Sequence, residues 1–272
     1  IVEIEPRTGE DCLRTEDILA AIARHGGELS LVLLGNVNYR TGQAFSMREI
    51  TAAAHAQGAR VGWDLAHGAG NLPLALHDSG ADFAVWCSYK YLNGGPGALG
   101  GCFIHERHHG GGTEKLPRFA GWWGHEKAVR FKMGSHFQPI PGAEGWQLSN
   151  PPILSMAALA ASLTVFDEAG GMPVLVEKGR ALTRRLETEL AQALPTEVLE
   201  IITPREPASR GQQLSIRTLR GPRGSDLIAL LGKKGIVVDF REPDILRVTP
   251  VPLYNNENDI HRLVAALKEI HS

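Results

Sequence analysis

No stretch of this 272-residue sequence approaches the roughly 18 consecutive apolar residues of a membrane-spanning helix, and the opening IVEIEPRTGED lacks the basic-then-apolar order of a signal peptide. The expectation is a cytoplasmic protein with no membrane partner. Cysteine is scarce. Cys12, Cys87 and Cys102 are odd in number, far apart and without a C-x-x-C pair, which suits a reducing compartment and argues against a disulfide framework. An excess of charge is missing too: 28 Lys and Arg are interspersed among 30 Asp and Glu, a net charge of −2, so there is no basic face for nucleic acid and no acidic tail. Internal repeats and low-complexity tracts are absent. So is an initiator Met, and Ile1-Val-Glu-Ile4 reads as a strand already under way, from which we expect further sequence upstream.

What is present is a 43% apolar chain able to bury a sizeable core, in one large or two unequal domains. Short apolar runs alternate with helical patterns through the first hundred residues: Leu29–Leu34, Arg60–Trp63 and Ala81–Trp86 against Thr15–His25, Ser46–Gln57 and Asn71–Ser79. Such βαβ alternation predicts a mostly parallel sheet with helices on both faces. Two helix starts support it. Ser46-Met-Arg-Glu49 has capping-box spacing, and Asn71 stands where it would cap a helix with Pro73 in its first turn. The stretch 117–150, rich in Gly, Pro and aromatics without a clear period, reads as loops with packed aromatics. Beyond it come apolar helices over Ile153–Glu168 and Val174–Ala193, then short strands at Leu199–Ile202, Gln213–Arg217, Val237–Asp239 and Leu246–Val248. The expected architecture is α/β: a large domain over residues 1–150 and a smaller C-terminal α+β domain over 151–272.

Ligands of open parallel sheets bind at the carboxyl ends of the strands. Two such ends carry chemistry here, Trp63-Asp64-Leu-Ala-His67-Gly and Cys87-Ser88-Tyr89-Lys90-Tyr91. A carboxylate, an imidazole and a lysine facing one crevice suit pyridoxal 5′-phosphate, which needs an amine for its aldehyde and an acidic partner for its ring nitrogen. Taken singly, an Asp or Lys after a strand, such as Asp64 or Lys90, is more often a helix cap or a solvated charge. Other signals are weaker. Gly95-Pro-Gly97-Ala-Leu-Gly100 satisfies G-x-G-x-x-G but precedes a strand, Cys102–Ile104, and reads as a turn. His105, His108 and His109 lie in HERHHGGGTEK without neighbours at metal-ligand spacing, so the expectation is a solvated loop and no metal. Lys233-Lys234 before Gly235 reads as a helix C-terminus.

Several segments resemble kynureninases: Asp64-Leu-Ala-His67, Cys87-Ser-Tyr-Lys90-Tyr-Leu-Asn-Gly-Gly-Pro-Gly, Gly121-Trp-Trp-Gly-His125, Arg130-Phe-Lys-Met, Ser149-Asn-Pro-Pro-Ile153 and Arg247-Val-Thr-Pro-Val-Pro-Leu-Tyr254. The Ser-x-Lys and Gly-Pro-Gly elements are shared with class V aminotransferases and cysteine desulfurases, whereas the tryptophan, Ser-Asn-Pro-Pro and Arg-Val-Thr-Pro segments are specific to kynureninases. The resemblance covers nearly the whole chain. It implies a pyridoxal-phosphate enzyme of fold type I, hydrolysing L-kynurenine or 3-hydroxykynurenine to an anthranilate and L-alanine, in tryptophan catabolism and NAD biosynthesis.

Residue by residue, it implies that Lys90 bonds the cofactor aldehyde, Asp64 pairs with the ring nitrogen and His67 lies beside the ring. Tyr89 would bond the phosphate and relay a proton; Trp122 and Asn150 would reach the phosphate region from the partner of a homodimer; Arg247 would hold the substrate carboxylate. Each has a plainer alternative: Trp122 and Trp123 as core aromatics, Asn150 before Pro-Pro as a turn residue, Arg247 as a surface ion pair. At Gly35 the sequence departs from relatives that place a hydroxyl near the phosphate. The family's N-terminal segment, with its phosphate loop and ring-stacking aromatic, is also expected to be missing. Two rival readings are a cysteine desulfurase or aminotransferase of the same fold, and an inactive dimerising fragment.

Overall fold

The computed structural model describes residues 1–109 and 116–271. Residues 110–115, the glycine-rich part of the loop expected after Cys102–Ile104, lie outside the described residues. The chain runs α1 (Thr15–His25), β1 (Leu31–Gly35), α2 (Met47–Ala56), β2 (Arg60–Asp64), β3 (Phe83–Cys87), β4 (Gly100–Ile104), α3 (Ile153–Glu168), α4 (Gly171–Ala193), β5 (Leu199–Ile201), β6 (Leu214–Thr218), α5 (Gly224–Lys233), β7 (Asp239–Arg241), β8 (Ile245–Val248) and α6 (Glu257–Ile270).

Strands β1 to β4 form one sheet in that order, parallel from β1 to β3, with β4 antiparallel to β3. Alternate residues of the strands, Val32, Val61, Trp63 and Ala84, turn toward α1 and α2 and close a core with Ile18, Ile22 and Ile50. Trp63 is fully buried and its indole N–H donates to Thr51 Oγ1 at 3.1 Å, so the largest side chain of this core also satisfies its one polar atom. On the opposite face Leu31, Leu33 and Val85 are exposed. Helices on both faces are thus found on one face only among the described residues, although the apolar strands carry the composition of a doubly covered sheet.

The second sheet, β5-β6-β8-β7, is antiparallel throughout and packs a separate core against α4, α5 and α6 through Leu186, Leu214, Leu227, Leu246 and Leu267. Between the two cores the stretch 117–150 has no strand or α-helix. Its aromatics are organised by cations instead: the Arg118 guanidinium lies 4.4 Å from the Trp146 ring, and Arg130 lies 4.8 Å from Trp123 and 5.9 Å from Trp122.

Several local expectations are corrected. Residues 1–4 are not a strand. Ser46 stands at the N-cap of α2 without a side-chain hydrogen bond, so the expected capping box does not form. Asn71–Ser79 is a series of turns, because Asn71 is used for tertiary bonds: its amide donates to the His67 carbonyl at 2.8 Å, and its oxygen accepts from the Gln212 backbone N–H at 2.9 Å.

The histidines expected in a solvated loop are pinned. His108 Nε2 donates to Asp82 Oδ1 at 2.6 Å and His109 Nε2 reaches the Ile104 carbonyl at 3.0 Å. Asp82 is only 2% exposed and also accepts from His55 Nε2 at 2.8 Å and the Val61 backbone N–H at 2.7 Å, joining α2, β2 and the turn after β4 at the amino ends of the strands. Among the described residues no cluster of metal-ligating side chains forms.

Burial would raise the Asp82 carboxyl, but the hydrogen bonds from His55, His108 and Val61 outweigh it and hold the group below its ordinary value. A carboxyl depressed in the folded state stabilises above its unfolded pKa, and the contribution is lost as pH falls through the lower folded value. Asp82→Ala should therefore cost about 3 kcal/mol in urea unfolding at pH 7, and the difference from the parent should shrink progressively as pH falls below the ordinary carboxyl value. An equal denaturation midpoint at pH 7 would show that this carboxylate stabilises nothing.

Candidate active site

The carboxyl ends of β1, β2 and β3 lie side by side: Gly35 is opposite Asp64, and Asp64 is opposite Val85. Immediately beyond β2, Asp64 Oδ1 accepts the Ala66 backbone N–H at 2.7 Å, which fixes the carboxylate at the start of the turn leading to His67. Beyond β3, the turn of Ser88–Asn93 carries Lys90. The two turns are held together by a close approach at Gly70, where φ is +81° and an added Cβ would lie 2.8 Å from the Tyr91 backbone. Only glycine fits both the conformation and the contact.

The result is that Lys90 Nζ donates to His67 Nε2 at 3.1 Å. Burial, then the charges of Lys90 and Arg247, push the His67 imidazole down to about 4 against a smaller opposing pull from Asp64, so the ring is neutral near pH 7. With Nε2 accepting, the ring proton belongs on Nδ1, a buried donor without a partner among the described residues. The rings of Tyr91 and Tyr39 flank this imidazole, at 6.0 and 6.5 Å between centroids.

His67 lines two cavities. One, of about 250 Å³, is bounded by Gly35, Asn38, Tyr39 and Asp64; the other, of about 370 Å³, by Tyr89, Lys90, Gln213, Asp239, Arg247 and Tyr254. A carboxylate therefore sits on one side of the imidazole and an amine and a guanidinium on the other. A larger cavity of about 590 Å³ lies within the second unit and shares Asp239 and Arg247, but Lys90 and His67 do not line it. The chemistry is concentrated in the smaller pair.

Arg247 comes from β8 of the other sheet, and the loop after β1 delivers it. Tyr39's carbonyl accepts from Arg247 Nη1 at 2.9 Å and from Gln213 Nε2 at 3.1 Å; Arg40's carbonyl accepts from Ser215 Oγ at 2.5 Å; Thr41's accepts from Thr203 Oγ1 at 2.6 Å. Gly42, at φ +74°, lets the loop lie against β6, where an added Cβ would be 3.1 Å from the Gln213 carbonyl. Arg247 does form an ion pair, with Asp239 at its Nη2, but a part-buried one, its side chain being 11% exposed.

Of the residues singled out in the sequence, Asp64, His67, Tyr89, Lys90 and Arg247 line these two cavities, whereas Trp122 and Asn150 line neither. Trp122 is 42% exposed and packs edge-on against Phe131. Tyr89 is 54% exposed, with Lys90 Nζ 5.8 Å from its ring centroid. Its phenol is raised above its ordinary value, first by the hydrogen bond with Cys87. At Gly35 the nearest atom to an added Cβ is the Val37 carbonyl, at 3.5 Å, so the missing hydroxyl is not a steric exclusion. Sequence reasoning missed Tyr39, Gln213 and Asp239. Asp239 had a usable signal, standing directly across from Arg247 in the β7–β8 register, where opposite charges pair.

A family model described as the kynureninase C-terminal domain matches residues 175–267. The chain is 59% identical over 268 residues to a kynureninase of Myxococcus xanthus, covering 98% of this chain and 62% of that protein. It is 57% identical over 264 residues to the kynureninase of Koribacter versatilis and 55% identical over 265 residues to that of Xanthomonas campestris, in each case 97% of this chain and 61% of the other. The chain therefore spans about three fifths of the length of these curated relatives. In structure it is similar to an apo cysteine desulfurase from Thermococcus onnurineus, with a TM-score of 0.77 at 19% identity over 96% of this chain and 64% of that one. It is also similar to the cystine C-S lyase C-DES, with a TM-score of 0.75 at 23% identity over 93% and 65%. At those identities the likeness is one of fold. On the extent and level of sequence identity, the chain is similar over nearly its whole length to kynureninases.

Proposed function

We propose that the protein acts as a kynureninase, hydrolysing the Cβ–Cγ bond of L-kynurenine or 3-hydroxykynurenine to an anthranilate and L-alanine with pyridoxal phosphate as cofactor. The observation that carries this is the amine of Lys90 held 3.1 Å from a neutral imidazole, between a carboxylate at one strand end and a part-buried arginine from the second sheet. The donor set fits the cofactor. Lys90 would hold its aldehyde, Asp64 its protonated ring nitrogen, and His67, whose buried Nδ1 lacks a partner, would lie beside its ring. When bound, pyridoxal phosphate supplies an electron sink for the negative charge that develops at the substrate carbon.

The chain's own residues do the rest. Arg247 would clamp the substrate α-carboxylate with a planar fork of donors. Lys90, once free, would take the α-proton beside the neutral His67 ring. Water supplies the hydroxyl that becomes part of the new carboxylate, and Tyr89, or a water it positions, would deliver the proton to Cβ. Both products then balance against substrate plus one water.

The proposal extends to a large domain over 1–150 and a small one over 151–272, and to a cytoplasmic homodimer acting in tryptophan breakdown and NAD biosynthesis. Trp122 and Asn150 would serve the partner's site. Phe119, Phe131, Met133, Ile153 and Leu154, each at least 78% exposed around and after the aromatic stretch, support an apolar contact with a second copy. The desulfurase reading is disfavoured by the cavity linings, because among the described residues none of the three cysteines lines either cavity.

Three outcomes are expected. In the parent, borohydride reduction after incubation with pyridoxal phosphate should fix the label on the Lys90 peptide; in Lys90→Ala the label should vanish and L-kynurenine turnover fall by roughly 10³-fold or more. Undiminished labelling of the variant would remove Lys90 from its role. By NMR, His67 should titrate near pH 4 and move up toward 6.5 in Lys90→Met, because burial and the lysine charge depress it; an unchanged midpoint would contradict the charge contribution. Sedimentation should give twice the 29.4 kDa chain mass, and a monomer would sink the homodimer.

A further inference from the structure

The guanidinium proposed to receive the substrate carboxylate already has one. Asp239 and Arg247 face each other across the β7–β8 ladder, and Asp239 Oδ2 accepts from Arg247 Nη2. Nη1 is committed to the Tyr39 carbonyl at 2.9 Å. Nε, which shares an edge of the guanidinium with Nη2, is buried and has no partner among the described residues. Asp239 therefore uses one donor of an edge whose two N–H groups could bind a carboxylate bidentately.

Three further observations make this bond exchangeable. Asp239 is the one carboxylate among the described residues lining the cavity that holds Lys90 and His67. Its side chain is 45% exposed while that of Arg247 is 11% exposed, so the acid sits on the open side and the base on the closed side. Its other oxygen, Oδ1, accepts from Arg241 Nη1 at 2.7 Å, and Arg241, 44% exposed, is a second cation on which the acid can rest. Burial would raise the Asp239 carboxyl, but the Arg247 hydrogen bond and the charges of both arginines hold it below its ordinary value, so it is ionised at neutral pH.

We propose that Asp239 is a resident counter-ion which an incoming amino-acid carboxylate displaces from Arg247, the released acid remaining paired with Arg241. This rests on the reading that Arg247 receives that carboxylate. The exchange replaces a one-point contact by a two-point one, gives the buried Nε a partner, and leaves no arginine unpaired at any stage. It also makes the site selective: a ligand without a carboxylate has nothing to offer Arg247 in place of Asp239. Asp239 is thus a positioning residue acting through Arg247, and its effect on affinity has a definite sign. A residue that merely orients Arg247 would strengthen ligand binding; a residue that competes for it weakens binding.

The test is calorimetric titration of the 272-residue protein with L-alanine at pH 7.5. Asp239→Asn should tighten binding about fivefold, since a partly exposed ion pair no longer competes, and Arg241→Met should weaken it by a similar factor by leaving Asp239 wholly on Arg247. Arg247→Met should abolish saturable binding in any background. If Asp239→Asn binds equally or more weakly while Arg247→Met abolishes binding, displacement is wrong and Arg247 remains the carboxylate site. Should Asp239→Asn fail to fold, Arg241→Met decides alone, and unchanged or tighter binding there overturns the proposal. If Arg247→Met leaves binding intact, or the parent shows no saturable binding, the carboxylate role of Arg247 falls, and the proposal with it.

Discussion

The arrangement of this molecule depends on the hydrogen bonds that residues 38–44 make to the second sheet. Asp64, His67 and Lys90 lie at or just beyond strand ends of one sheet, Arg247 and Asp239 lie on strands of the other, and the chain between β1 and α2 joins them. Backbone carbonyls of Tyr39, Arg40 and Thr41 accept from Arg247, Gln213, Ser215 and Thr203, and the Ala44 N–H donates to the Ser209 carbonyl at 2.8 Å. Each such bond contributes about 1 kcal/mol net, but leaving a buried member unpaired costs about 1–3 kcal/mol, so the set breaks together or not at all. Arg217 reinforces it from the side, paired with Asp11 and with Asp244 at 3.1 Å, while Arg40 reaches Asp11 at 3.5 Å.

That join creates the electrostatic environment of the site. His67 is desolvated and faces cations contributed by both sheets, Lys90 from the first and Arg247 from the second, which is why it stays neutral where an exposed histidine would begin to protonate. The neutral ring accepts from Lys90 and keeps its own proton on the far nitrogen. Asp82, at the opposite ends of the same strands, shows the reverse case: a buried carboxylate surrounded by donors, serving stability rather than chemistry. Function and framework thus occupy the two ends of one sheet.

Much of the element order was legible in the sequence. α1 and α3 run over the residues their apolar patterns indicated, and β1 to β4 fall within two residues of the expected runs, because alternation and 3.6-residue periodicity are local consequences of burying one face. The expected helix at Asn71 failed for a nonlocal reason. An Asn that would satisfy a helix end instead spans from the His67 carbonyl to the Gln212 N–H, a bond across 141 positions. The histidines after β4 failed the same way, since their composition reads as solvated and only the fold brings Asp82 beneath them.

By itself the sequence determined the α/β class, the two strand ends carrying Asp64, His67 and Lys90, and a family resemblance strong enough to single out Arg247. It did so because strand ends and short motifs are contiguous in the chain. Only the tertiary structure decided that His67 is neutral, that Tyr39 and Gly42 couple the sheets, and that Arg247 already carries the carboxylate of Asp239. Those are matters of desolvation and of charges brought within a few ångströms by a fold, and neither quantity is defined until residues distant in sequence are packed together.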